Sequence, residues 1–134
     1  MRRILSLLVL AFFINSCSVG DDEPIRSFSL LAIDSVEINE TYPLHEISPI
    51  MVTYRRPTDC YIFDGFYIQG DGFNNTIAVQ ALSLDRNDCV DDSMNTFSVP
   101  LEFSPTTPGE YTFKFYMGSP AGFPIYEEHI VTVE

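Results

Sequence analysis

From about residue 27 onward the chain is a succession of short stretches in which apolar and polar side chains alternate, each closed by turn formers. A period of two places every second side chain on one face, which is the pattern of a half-buried strand and not of a helix. Seven such stretches occur, at 30–38, 46–54, 60–69, 76–84, 96–103, 110–117 and 125–133. In the first, Leu31 and Ile33 alternate and then Val36 and Ile38 continue in the other phase, so Asp34-Ser35 marks a bulge or a strand switch. Ile50, Val52 and Tyr54 share a face, as do Ile77, Val79 and Ala81, and Pro49 sits where an edge or the start of a strand tolerates a missing N–H. Phe97, Val99, Leu101 and Phe103 alternate cleanly, and so do Tyr111, Phe113, Phe115 and Met117. Gly70-Asp71-Gly72-Phe73-Asn74-Asn75 is dense in residues that accept positive φ and predicts a hairpin turn between the third and fourth strands. The expectation is an all-β, seven-stranded β-sandwich over residues 27–134.

Within the sixth stretch, Pro108-Gly109-Glu110-Tyr111-Thr112-Phe113 resembles the tyrosine corner of immunoglobulin-like domains, in which the Tyr hydroxyl bonds back to nearby backbone. The resemblance implies an immunoglobulin-like sandwich. Phe113 stands where antibody domains carry their second cysteine, so apolar packing replaces that inter-sheet disulfide.

The N-terminal segment has a different character. Arg2 and Arg3 precede an apolar run over residues 4–14, which has the length of a signal-peptide core and is too short to span a bilayer. Ile14-Asn15-Ser16-Cys17 resembles the lipobox of bacterial lipoproteins, which implies cleavage of residues 1–16 as a signal peptide and lipidation of Cys17. Residues 17–26 then form a lipid anchor and an acidic flexible tether, with Asp21, Asp22 and Glu23 at its centre. Ser18 rather than an aspartate follows the cysteine, and the acidic run resembles the surface-export signal of Bacteroidetes lipoproteins. Cysteine arithmetic agrees: three cysteines in an exported chain leave one over, and lipidating Cys17 leaves Cys60 and Cys89 as a pair. If the third and fourth strands form a hairpin, both cysteines fall at its open end, where a disulfide closes a long loop.

Without residues 1–16 the chain carries five basic and nineteen acidic residues, a net charge of −14. Such a surface disfavours nucleic acid and anionic lipid as partners. Residues 85–92 concentrate Asp85, Asn87, Asp88, Asp91 and Asp92, oxygen ligands of the kind calcium takes. The spacing lacks the glycine and the terminal glutamate of an EF-hand loop, so the expectation is a solvated loop held by the disulfide, with no metal and no cofactor assigned. His45 and His129, the only histidines, fall in no metal-spacing motif, and no nucleophile motif is present, so no catalytic residue is assigned. Ser35 and Ser93 each follow an aspartate and precede an apolar residue, resembling the O-glycosylation acceptor of Bacteroidetes proteins. In the third stretch, strict alternation puts Ile62, Asp64, Phe66 and Ile68 on one face and Tyr61, Phe63 and Tyr67 on the other. Those three aromatics are a candidate binding patch, weighed against a central strand with a loop packed over it.

Lipobox, acidic tether and single domain together resemble small lipoproteins of Flavobacteria and related Bacteroidetes. The resemblance implies a lipid-anchored outer-membrane protein facing the cell exterior, held to the membrane through Cys17. The expected role is a non-enzymatic binding or accessory module for protein or glycan; the alternatives are a structural or envelope-assembly lipoprotein and, more remotely, an enzyme of unrecognised type.

Overall fold

The computed structural model describes residues 24–134. The signal segment, Cys17 and the acidic residues through Glu23 lie outside them. Nine strands and no helix make up the described residues: β1 (Arg26–Leu31), β2 (Ile33–Glu37), β3 (Thr41–Tyr42), β4 (Ser48–Tyr54), β5 (Tyr61–Gly70), β6 (Asn74–Leu84), β7 (Phe97–Phe103), β8 (Gly109–Tyr116) and β9 (Tyr126–Val133). They form a six-stranded and a three-stranded sheet, the latter ordered β2-β4-β7.

Nine strands replace the expected seven because the first stretch divides. β1 pairs with β6 in the larger sheet; the chain crosses at Ala32, and β2 pairs with β4 in the smaller one. The switch thus falls just before Asp34-Ser35, and a register irregularity between Ile33 and Ser35 marks the start of the new sheet. The short β3 adds a parallel rung to β9, too brief for any alternation to announce it. Arg26, expected to close the tether, is already strand and faces Leu84.

Between the sheets lies a core of alternate residues. Ile50, Val52 and Tyr54 of β4 face Ile77, Val79 and Ala81 of β6 and Tyr111, Phe113 and Phe115 of β8, all buried. Phe103 sits at the centre of the aromatic part, with ring centroids 5.3, 5.2 and 5.1 Å from Tyr42, Tyr111 and Phe113. Each contact is edge-on or nearly so, which sets the positive rim of one ring against the negative face of another.

β6 has three neighbours. One of its edges is covered by β5 in a hairpin, and the other is shared. β1 runs antiparallel along Val79–Leu84, and β8 runs parallel along Asn74–Ile77. The two meet end to end where both leave the sheet: a Cβ built on Gly118 would lie 3.3 Å from the Ala32 Cβ.

The bulge in β5 overturns the alternation expected there. Phe63 faces Ala81 and Phe66 faces Val79, three residues against two, with Gly65 at φ +105° absorbing the extra one. Side chains therefore change phase at Asp64-Gly65. Tyr61, Phe63 and Phe66 all turn toward the core, where Phe63 stacks on Tyr54 and meets Phe66 edge to face.

Candidate functional site

The two ends of the sandwich differ in chemistry. At one end, Arg26 pairs with Leu84 and the Asp85 N–H donates to the Ile25 carbonyl, so the chain leaves toward its N-terminus there. The same end carries the Cys60–Cys89 disulfide, whose cysteines are 29 positions apart. Further bonds clasp the loop after β6 to the loop before β5. Thr58 and Asp91 form a β-bridge, Asp59 N–H donates to the Val90 carbonyl, and the Asp59 carboxylate accepts from Val90 N–H. Arg56 donates to the Asp92 carboxylate and to the Tyr61 carbonyl, and its guanidinium lies 4.4 Å from the Phe97 ring centroid.

The opposite end holds a cleft of about 420 Å³ between the tip of the β5–β6 hairpin and the corner joining β7 to β8. Its cause is a mismatch of sheet widths. Ile68 faces Ile77 across the hairpin on the inward side, yet Ile68 is 53% exposed while Ile77 is buried. The three-stranded sheet ends at β7, whose Leu101 and Phe103 line the cleft together with Ile68. Leu101, Phe103, Tyr111 and Phe113 make the floor and Phe73 one wall, its ring centroid 4.8 Å from that of Tyr111. The Tyr111 hydroxyl donates to the Thr107 carbonyl at 2.8 Å and so fixes the far wall. His45, in a left-handed turn at φ 62°, donates its N–H to the Pro105 carbonyl and ties that wall to the loop before β4.

Polar groups line the rim: Asp71, Asn75, Glu102, Ser104, Thr106 and Thr107. Asp71 accepts from the N–H groups of Phe73 and Asn74 and from the Asn74 amide. These bonds, the Asn74 backbone contact foremost, hold its carboxyl below the usual range, so it stays ionised. Asn75 Nδ2 donates to the Gly72 carbonyl, which closes the turn and leaves the amide oxygen on the rim. Volume, aromatic floor and a few convergent polar groups are the properties of a small-ligand or side-chain site.

The structure disperses the residues that the sequence singled out. Tyr61 and Phe63 pack on the core, whereas Tyr67 is exposed on the outer face beside Gln69, so the three do not form one patch. The reason is the bulge, which strict alternation could not anticipate. The acidic loop does not gather its oxygens. Asp88 pairs with Arg86, Asp92 with Arg56 and Asn95, and Asp91 caps Ser93. Asp85 and Asn87 are exposed alongside. Asp59, Cys60 and Cys89 come close enough to suggest a metal group, but both sulfurs are spent in the disulfide. Ser35 and Ser93 are exposed, and Ser93 Oγ donates to the Asp91 carboxylate. His129 meets Glu127 at 2.6 Å and leans edge-on against Phe115, away from the cleft lining.

No single stretch of sequence marks the cleft, because its walls come from β5, β6, β7 and β8 and meet only through the topology. Comparison with protein-family models, with curated proteins and with solved structures finds no match.

Proposed function

We propose that this chain is a surface-anchored outer-membrane lipoprotein whose immunoglobulin-like domain acts as a non-enzymatic binding module for protein or glycan. Residues 1–16 act as the signal peptide, Cys17 carries the lipid, and the acidic residues to Glu23 hold the domain off the membrane. The observation that carries the reading is the polarity of β6. Its Leu84 end lies beside the departure toward Cys17, and its Asn74 end lies at the cleft, eleven residues or about 35 Å away. A domain tethered at one end thus presents the cleft outward. The Tyr111–Thr107 bond and the parallel β3–β9 rung support the immunoglobulin-like classification, while β6 lying parallel beside β8 is this chain's own variation. Labelling with a palmitate analogue and protease shaving of intact cells test the proposal. Wild type is expected to take the label and to be shaved, and Cys17→Ala to lose the label and leave the envelope. Label retained by the variant sinks the lipid site; cleavage only after lysis sinks the outward orientation.

An envelope-assembly role is the second reading, and one feature favours it. Phe28, Leu82 and Ile62 lie in register across β1, β6 and β5 on the outer face, with Leu30 beside them, and Phe28 is 70% exposed. Such an apolar ladder suits contact with another envelope protein.

A further inference from the structure

The cleft end is electrostatically one-sided. Among the described residues the Lys and Arg side chains are Arg26, Arg55, Arg56, Arg86 and Lys114, and neither histidine, His45 or His129, belongs to the cleft lining. Arg26 belongs to the tether end, Arg55 and Arg56 lie in the loop before β5, and Arg86 follows β6, all remote from the cleft along the strands. Arg55, Arg56 and Arg86 are paired with Asp34, Asp92 and Asp88. Lys114 points to the outer face, 3.7 Å from Glu128. The charged residues lining the cleft are Asp71 and Glu102, and no cation lies within ion-pair distance of either among the described residues.

We propose that the cleft takes a cationic side chain, the ammonium of a lysine or the guanidinium of an arginine on a partner protein. This rests on the binding-module reading and selects protein over glycan. The lining fits such a group in two ways. An apolar stem is matched by Ile68, Leu101 and Phe103, and the charge by Asp71 on the rim. Glu102 adds negative field from the outer side of the β7 edge, where it pairs with Pro49. The exposed Phe73 ring on the cleft wall adds attraction, since a cation within about 6 Å of an aromatic centroid is drawn to its negative face. Residues 24–134 carry five Lys and Arg against sixteen Asp and Glu, a net charge of −11, so the domain steers basic partners toward itself. Among the described residues the cleft lining has no Lys or Arg to compete with them.

The test uses the full chain in detergent and three probes, followed by NMR: Nα-acetyl-lysine amide, Nα-acetyl-arginine amide and the uncharged Nα-acetyl-norleucine amide. Both cationic amides are expected to bind with dissociation constants on the order of millimolar. They should shift the resonances of Phe73 and Asn75, with the norleucine amide at least tenfold weaker. Glu102→Gln, an isosteric change at an exposed position, is expected to weaken the cationic amides about fivefold, and Phe73→Ala on the exposed turn to abolish their binding. Equal binding of norleucine, indifference to Glu102→Gln, or shifts mapping away from the cleft would overturn the proposal. A neutral oligosaccharide that moves these resonances where the amides do not would also overturn it, while leaving the tethered binding module standing. Palmitate labelling and shaving decide that module's anchoring and orientation independently.

Discussion

The Tyr111 hydroxyl reaches back four residues to the Thr107 carbonyl, and the same ring packs against Phe73 and Phe103. One side chain therefore holds the β7–β8 corner shut and forms part of the cleft floor. Tyr111→Phe keeps the ring and removes the bond, leaving a partly buried carbonyl to find another donor. The expected loss is about 1–2 kcal/mol. For a domain of this size that lowers the melting temperature by roughly 4–12 °C. Unchanged unfolding by both heat and urea would show that the bond contributes nothing.

The disulfide clasps a loop that other bonds also clasp. Joining residues 29 positions apart is worth about 3–4 kcal/mol by the chain-entropy argument. The Cys60→Ala/Cys89→Ala double variant is expected to fold, because the Thr58–Asp91 bridge and the Arg56–Asp92 pair remain. Its urea midpoint should fall by about 2 M, taking a slope on the order of 1.5 kcal/mol/M. A midpoint within experimental scatter of wild type would mean that the surrounding bonds already close the loop.

Acid should act on the turn and the clasp. The carboxyl of Asp71 is lowered chiefly by the Asn74 backbone bond, that of Asp92 by the Asn95 amide and then Arg56, and that of Asp88 by Arg86. A carboxyl lowered on folding stabilises fully above its unfolded value, near 3.9, and loses that contribution as pH falls through the folded value. Protonating the many other carboxylates works in the opposite sense by relieving repulsion. Comparison with Asp71→Asn/Asp92→Asn separates the two effects. Wild type is expected to be the more stable at pH 7 and to converge on the variant below about pH 4. Melting curves that stay parallel from pH 7 to 2.5 would refute the assignment.

Gly70 closes β5 against the turn so tightly that a Cβ there would overlap the Asn74 carbonyl oxygen. Gly70→Ala must therefore move backbone, and the hairpin tip should shift away from the β7–β8 corner. Hydrogen exchange is expected to quicken at residues 71–76, with little change at the Cys60–Cys89 end. Equal protection at both ends in wild type and variant would contradict a rigid tip.

Much of the fold was legible because the buried residues of β4, β7 and β8 obey a period of two, and the hairpin tip announced itself through glycine and asparagine. The Tyr111–Thr107 bond was legible too, since Pro108-Gly109-Glu110-Tyr111 places the hydroxyl where it can reach back to nearby backbone. What was hidden is physical in each case. The bulge at Asp64-Gly65 adds one residue, and one residue suffices to send Tyr61 and Phe63 inward and leave Tyr67 outside. The switch between sheets was legible as the change of phase at Asp34-Ser35. Only its position, two residues earlier at Ala32, was not, because both halves of that stretch alternate although each belongs to a different sheet. The cleft hid because it is a gap in pairing between sheets, and a gap has no residue pattern of its own.

The shared edge of β6 has a consequence for the order in which the chain can mature. Synthesis proceeds from the N-terminus, so β1 and β5 are available to β6 as soon as it is made. The edge along Asn74–Ile77 must wait for β8, about forty residues later. Until then four residues of open strand edge are exposed at the tip of the nascent hairpin, a template for pairing with another chain. A chain truncated before Gly109 would keep that edge permanently, and its expected fate is aggregation rather than a smaller folded domain.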